Sequence, residues 1–395
     1  MAKNSKYQDL GVDAGKDSVR KAFAGVIDND YPGAFVNIIN DPEIDGLVHT
    51  LHQDGDGSKI LARLVLYNET GNVAYLRGAV DDALQMNLGD ISASGFVFGL
   101  TMVGDVIDIR NTPNVPKDII MEQIAIRISE LMALYKSYGF DQMYFMGGET
   151  ADLPDQIRNI AFNVGVYARA KKGDIVTGNV AHGDKIWGFA SDGQAVWEGN
   201  PNSGIMANGL TLGRNCLTWS GYNDTYPALI GKNKYYGRYH VGDTHDFLPE
   251  TTVLEALVSP TRQWSILIRI LMEKLKENDL LHMLHGISMN TGGGATKIGH
   301  VGNSILYKKT MPTLPGIFQL IQQEGEVSWK EMFEDFNCGI GIDVVGEDNL
   351  LFAQVLEEVS AETQVQLYEL GTCEKWDGDG NKVVLETPYG KFDDY

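Results

Sequence analysis

Three glycine clusters, each beside an apolar run, constrain this chain most. They are Gly55 and Gly57 in Asp54-Gly-Asp-Gly-Ser-Lys59 ahead of Ile60–Leu66, Gly147-Gly148 after 142–146, and Gly292-Gly293-Gly294. Glycine is a poor residue inside helices and strands, so such clusters mark turns or close approaches of the backbone. The 45 glycines in 395 residues show no Gly-X-Y period, which excludes collagen. The apolar runs themselves alternate in type. Ile120, Ile124, Ile128, Leu131 and Leu134 repeat at helical spacing over 118–138, with Asp118 as cap. The segments 142–146, 162–168 and 185–190 have strand length. Ser259-Pro260 predicts a helix start, with a buried stripe of Trp264, Leu267, Ile268, Leu271 and Leu275. A glycine-bearing strand over 337–345 and an amphipathic helix over 349–359 follow. Residues 220–250 show no period and read as an irregular insertion.

This alternation predicts an α/β protein. The length is too great for one comfortable core, and the break at Lys171-Lys172-Gly173-Asp174 suggests two domains, 1–172 and 173–395. Lys and Arg number 32 and Asp and Glu 53, a net charge of −21, with Lys171-Lys172 and Lys308-Lys309 as isolated basic pairs. Such a chain repels nucleic acid and anionic membranes. It has no apolar stretch approaching ~18 residues and no apolar signal region in its first residues. Cys216, Cys338 and Cys373 are scattered and form no CxxC, so they read as reduced thiols of a cytoplasmic protein.

The sharpest constellation is Asp54–Lys59. Exposed amides of a glycine loop can cradle phosphate oxygens, Lys59 adds a point charge, and Asp54 and Asp56 are hard oxygen donors suited to Mg²⁺. The spacing is not that of a Walker A loop, and a polar turn between strands explains the local sequence equally simply. Asp81, Asp82 and Asp90 could also serve a metal, although a solvated helix face is the ordinary reading of such acids. Glu149 stands after Gly147-Gly148, where a strand ends. Thr291–Gly294 reads either as a second phosphate or ribose loop or as a tight turn. His282 and His285 lack a third ligand for Zn²⁺. Asp377–Asn381 has Lys382 where a calcium loop needs glycine, and it reads as a hairpin turn between 365–370 and 383–386.

In order, these segments resemble the phosphoribosylformylglycinamidine cyclo-ligase family. Tyr7–Asp13 resembles Y-x-D-A-G-V-D, and Asp54–Lys59 resembles D-G-V-G-T-K. Asp82–Asp90 resembles D-L-V-A-M-x-V-N-D, and GGETADLP at 147–154 is similar to G-G-E-T-A-E-M-P. Asn208-Gly209-Leu210, Pro260-Thr261-Arg262, Thr291–Gly294 and Phe336–Gly341 resemble S-N-G-Y, P-T-R, T-G-G-G and F-N-M-G-I-G. The resemblance implies the aminoimidazole ribonucleotide synthetase-like fold. Its first-domain strands would form a barrel-like homodimer interface, with an α/β second domain behind it. It implies ATP-dependent ring closure of formylglycinamidine ribonucleotide in purine biosynthesis. Lys59 and Asp90 would be catalytic. Gly55, Gly57, Ser58, Lys59, Asp82, Gly148 and Thr150 would hold ATP, and Asp54, Asp90 and Glu149 would hold Mg²⁺. Asn208, Arg262, Thr291, Gly292, Gly293 and Gly294 would face the substrate.

The sequence also departs from the family pattern. Asp56 stands for valine, Gly89 for the asparagine before Asp90, and Met289 for the histidine of H-I-T-G-G-G. The histidine of S-S-G-x-H-S-N-G is missing from an expanded 191–209 segment. These departures keep two alternatives in view: an ATP-using relative with another small substrate, and a non-catalytic nucleotide-binding paralogue.

Overall fold

The computed structural model describes residues 5–12, 17–23, 25–393 and 395; Asp13 of the opening motif lies outside them. The first half builds a five-stranded sheet from β1 (Ile39–Asn40), β2 (Leu47–Gly55), β3 (Leu100–Ile109), β4 (Met143–Asp152) and β5 (Ile160–Lys171), in the order β1-β2-β5-β3-β4. Only β3 and β4 run parallel, and their register shifts between Val103 and Asp105. Alternation is clean in β5, where Phe162, Val164, Val166, Ala168 and Ala170 point inward. The Gly78–Ala93 helix packs on β2 and β5, and the Lys117–Ser137 helix packs on β4. The opposite face leaves Leu51, Val106, Tyr144 and Met146 exposed. The sheet is open, and no closed barrel forms among the described residues.

The second half carries β6 (Lys185–Ala190), a two-residue pair β7 (Asp192–Gly193) and β8 (Asn202–Ser203), β9 (Leu284–Met289), β10 (Ile305–Thr310), β11 (Ile340–Gly346), β12 (Leu367–Lys375), β13 (Lys382–Thr387) and β14 (Gly390–Phe392). Seven of these form one mixed sheet, ordered β14-β13-β10-β12-β6-β11-β9. The Asp377–Asn381 segment is therefore not a hairpin turn. It joins strands that flank β10, which pairs antiparallel with β12 and parallel with β13. Strand β11 is buried along its whole length, as expected for a central strand.

Two further expectations are corrected. β4 does not end at Gly147-Gly148. It absorbs them at the bulge and continues to Asp152, so Glu149 lies within a strand. Ser259-Pro260 does not cap a helix either. The next helix is Trp264–Glu277, preceded by the non-helical residues 259–263, whose polar groups are engaged elsewhere. The 220–250 stretch is largely irregular as expected, with short helical turns at Tyr222–Thr225 and Pro227–Leu229.

Candidate active site at the junction of the two halves

The Asp54–Lys59 loop connects a strand to a helix rather than two strands. Gly55 ends β2, and Lys59 opens the Lys59–Thr70 helix. Gly57 adopts φ +63°, a conformation costly for any residue with a Cβ. The loop therefore presents a helix N-terminus, the place where backbone N–H groups favour anions. It also faces the second half, because Ser58 Oγ lies 3.2 Å from Thr211 Oγ1.

Lys59 itself points inward and is fully buried. Its Nζ donates to Asp82 Oδ1 at 3.0 Å, to the Ser259 carbonyl, and weakly to the Met206 carbonyl at 3.5 Å. Burial pulls its pKa down to about 8, against the opposing pull of Asp82. Asp82 is the hub of this cluster. Oδ1 also accepts from the Thr261 amide at 2.9 Å and hydroxyl at 2.6 Å, and Oδ2 accepts from Arg63 Nη2 at 2.6 Å. Burial raises the Asp82 pKa, but the Lys59 and Arg63 charges and the Thr261 hydroxyl outweigh it and hold it below the ordinary value. Both side chains are enclosed here, and their bonds tie the two halves together.

All sixteen residues of the Gly78–Ala93 helix are buried, so its acids are not a solvated face. Asp81 pairs with Arg127 through two bonds of 2.7 and 2.9 Å. Asp90 lies 3.5 Å from His52 Nε2, and His52 Nδ1 is 3.0 Å from Asn87 Oδ1. Asn87 in turn donates to the Asp54 carbonyl at 3.1 Å. Asp90 and His52 line a polar cavity of roughly 350 Å³ with Asn37, Lys297 and His300. Lys297 and His300 bring the segment after Thr291–Gly294 to that cavity.

A larger cleft of roughly 800 Å³ opens at the other end of the same helix. Asp81, Arg127, Asn200, Ser203, Phe247 and Pro249 are among its walls. Asp81 and Asp90 are nine residues apart, ~13 Å along a helix. The expanded 191–209 segment and the 220–250 insertion therefore wall this cleft and not the Asp90 cavity.

The proposed substrate residues are also mostly engaged. Asn208 Nδ2 donates to the Asp335 carbonyl at 2.7 Å. Arg262 is buried and gives its donors to Glu198 (3.0 and 2.9 Å) and to the carbonyls of Ala190, Asp192 and Gly193. It organises the expanded segment, with these donors committed to protein acceptors. Gly294, at φ +56°, would drive a Cβ into the Phe333 and Phe336 carbonyls, so packing explains it. Gly293 takes φ +103°, Thr291 is buried, and Gly292 has open space around it.

Glu149 and Asp54 are exposed, and Asp90 is buried in the cavity. Among the described residues, no three His, Cys, Asp or Glu side chains gather as a ready metal site, so the expected trio is not preassembled. Gly148 and Thr150 lie apart from the glycine loop. They line an apolar pocket of roughly 570 Å³ between β3, β4 and the Lys117–Ser137 helix, with Asp105 and Phe145.

Sequence reasoning missed several participants. Arg63 and Thr261 complete the Asp82 hub. Glu198 receives Arg262 from within a segment that shows no motif. The carboxyl oxygens of Asp56 are buried without a hydrogen-bond partner, and burial, then Asp82, pushes its pKa well above the ordinary value. Asp335, buried near Glu331 and Glu334, is pushed up to about 8. Arg63 was traceable, because it stands four residues after Lys59 on the same helix face.

The fold class is shown by solved structures with low identity. The HypE–HypF complex superposes with a TM-score of 0.53 at 14% identity, covering 96% of this chain and 99% of that one. T. maritima PurL complexed with FGAR gives 0.53 at 13%, covering 94% of this chain and 48% of that one. HypE in complex with ATP gives 0.51 at 12%, covering 97% and 96%. This is the aminoimidazole ribonucleotide synthetase-like fold. No protein-family model matches the chain.

Curated relatives narrow the class. Phosphoribosylformylglycinamidine cyclo-ligase of Methanocaldococcus jannaschii is 28% identical over 388 residues, 96% of this chain and 95% of its own. That of Methanococcus maripaludis is 27% identical over 394 residues, 96% and 95%. That of Methanococcus vannielii is 29% identical over 296 residues, 73% and 74%. The chain is similar to the phosphoribosylformylglycinamidine cyclo-ligases along nearly its whole length.

Proposed function

We propose that this protein is an ATP-dependent cyclo-ligase that closes formylglycinamidine ribonucleotide to aminoimidazole ribonucleotide, releasing ADP and phosphate. The observation that carries the reading is end-to-end similarity to enzymes of that name, with the Asp54–Lys59 loop kept at a helix N-terminus and its Asp54 carbonyl bonded to Asn87, three residues before Asp90. ATP would phosphorylate the amide oxygen, turning a poor leaving group into a good one. The ring-closing nitrogen then attacks that carbon and phosphate departs. The protein must hold two phosphate-bearing substrates in line and offset developing charge.

In this chain, phosphate recognition falls to the loop amides around Gly57 and Ser58, with Lys297 in the adjoining cavity as a nearby cation. Lys59 acts from behind, fixing the loop to Asp82 and to the second half. Mg²⁺ fits the donors present: it usually takes one or two carboxylates plus substrate phosphates, so it needs no preformed trio. Asp90 and Asp54, on adjoining elements beside the loop, would hold it, and when bound it would offset phosphate charge. Glu149 is exposed, beside Val106 in the register of the first sheet. Thr150 and Gly148 belong to the apolar pocket, which suits a planar base.

The exposed apolar face of the first sheet, Leu51, Val106, Tyr144 and Met146, supports a homodimer built on that face. The two sheets support domains of 1–172 and 173–395, and the three buried cysteines suit a cytoplasmic setting.

The test is ADP release from Mg·ATP with and without formylglycinamidine ribonucleotide, alongside detection of aminoimidazole ribonucleotide. Substrate-dependent ADP with matching product supports the reading. ATP binding without product would move the search to another substrate or to the non-catalytic nucleotide-binding paralogue, and no ATP binding at all would overturn the reading.

A further inference from the structure

Two departures from the family motifs, far apart in sequence, meet in space. Gly89 lies on the inner side of the wholly buried Gly78–Ala93 helix, and Met289 ends β9 in the second half. A Cβ at position 89 would lie 2.6 Å from Met289 Cε and 3.0 Å from its Sδ, and it would also meet Gln85 Nε2. Met289 is fully buried, so it has no solvent to retreat into. Its thioether fills the space that a side chain at 89 would need. Asp90, the next residue, sits at the polar cavity beside His52.

We propose that Met289 is a positioning residue for Asp90: packed on Gly89, it sets the distance between the Gly78–Ala93 helix and β9 and thereby fixes the carboxylate in the cavity. This rests on the reading of Asp90 as part of the ATP site, although the placement itself does not. The physical basis is that a close-packed interior transmits a local volume change instead of absorbing it. A residue added at 89 must shift either Met289 or the helix, and the helix is anchored on its other sides by β2, β5 and the Trp264–Glu277 helix. Whatever shift the helix makes is delivered one residue on, at Asp90. The exchange of asparagine and histidine for Gly89 and Met289 is then a paired change that preserves the fit of the seam.

The experiment compares Gly89→Ala, Met289→Ala, Met289→Leu and the double variant Gly89→Ala/Met289→Ala. Crystal structures give the Asp90–His52 separation, and calorimetry gives Mg·ATP affinity in the folded proteins. Gly89→Ala is expected to lengthen the 3.5 Å separation and weaken Mg·ATP by about tenfold, since small misplacements of reacting groups cost that much or more. The double variant is expected to restore both, and Met289→Leu to keep both near wild type. If Gly89→Ala lowers only the melting temperature, with Asp90 in place and affinity unchanged, the proposal is overturned. If the wild type binds no Mg·ATP, the functional reading fails, while the Asp90 displacement still decides the positioning role.

Discussion

Replacing Asp82 by Asn should destabilise this protein far more than a typical surface change. The substitution keeps the shape and removes one negative charge. Lys59 and Arg63 then remain buried without a bonded carboxylate, the new NH2 faces donors where an oxygen accepted, and burial shifts the other acids within reach, Asp56 and Asp81, toward their neutral forms. Removing one partner of a buried ion pair costs roughly 3–5 kcal/mol, against a total stability of roughly 5–15 kcal/mol. At about 2–4 °C per kcal/mol for a large domain, the melting temperature should fall by roughly 6–20 °C. Lys59→Met should cost less, about 1–3 kcal/mol, because Asp82 keeps Arg63 and both Thr261 donors. Denaturant titration with circular dichroism would read both variants. An Asp82→Asn protein within about 1 kcal/mol of wild type would refute the reasoning, since two uncompensated buried cations cannot be that cheap. The buried setting of Lys59 places the first effect of Lys59→Ala on stability.

Four further outcomes follow from the same geometry. Because burial lowers the Lys59 pKa to about 8, the unfolded chain binds more protons between about pH 8 and the ordinary lysine value. Wild-type stability should therefore rise over that window relative to Lys59→Met, as read by urea midpoints at matched pH. Asp335 has the opposite sign: its pKa is raised to about 8, so the folded state binds the extra proton and stability falls as pH climbs from about 4 to 8. Asp335→Asn should match wild type near pH 4 and melt higher near pH 8.5; equal melting at both values would remove Asp335 as the cause. Arg262→Lys should fail to restore the 191–209 segment, because three donors cannot replace the five contacts made to Glu198 and three carbonyls. Faster proteolysis within that segment is the expected readout. Gly294→Ala should cost at least about 1–3 kcal/mol from the positive φ alone, with the blocked Phe333 and Phe336 carbonyls adding to it; a melting temperature equal to wild type would contradict the packing account.

The legible parts of the sequence were those with a period or a motif. The helix expected over 118–138 is Lys117–Ser137, and the strand at 185–190 is β6 as read. Asn349 caps its helix by accepting from the Leu351 and Phe352 amides. What stayed hidden depended on long-range pairing. The acids of DALQMNLGD looked like a solvated face because nothing local announces Arg63, Arg127 or Thr261 as their partners. Pro260-Thr261-Arg262 resembled a helix start, yet its Thr and Arg are spent on Asp82 and Glu198 before the helix begins. The Asp377–Asn381 turn looked like a hairpin because spacing cannot reveal that β10, some seventy residues earlier, lies between its flanking strands. Glycines were legible as special but not as to why: Gly57 is set by backbone conformation, whereas Gly294 is set by packing.

The Asp82 hub has a consequence for how the chain can be divided. Its bonds to Thr261 span 179 residues, and the helix that carries it is buried against strands and helices from both halves. A fragment ending at residue 172 would keep its five strands, but it would turn that helix's Met86 and Gly89 flank and one side of the Lys59–Asp82 pair to water. The boundary between the sheets is thus a feature of topology, not of cooperativity. The halves should melt as one transition, and separately expressed fragments should be soluble only when mixed.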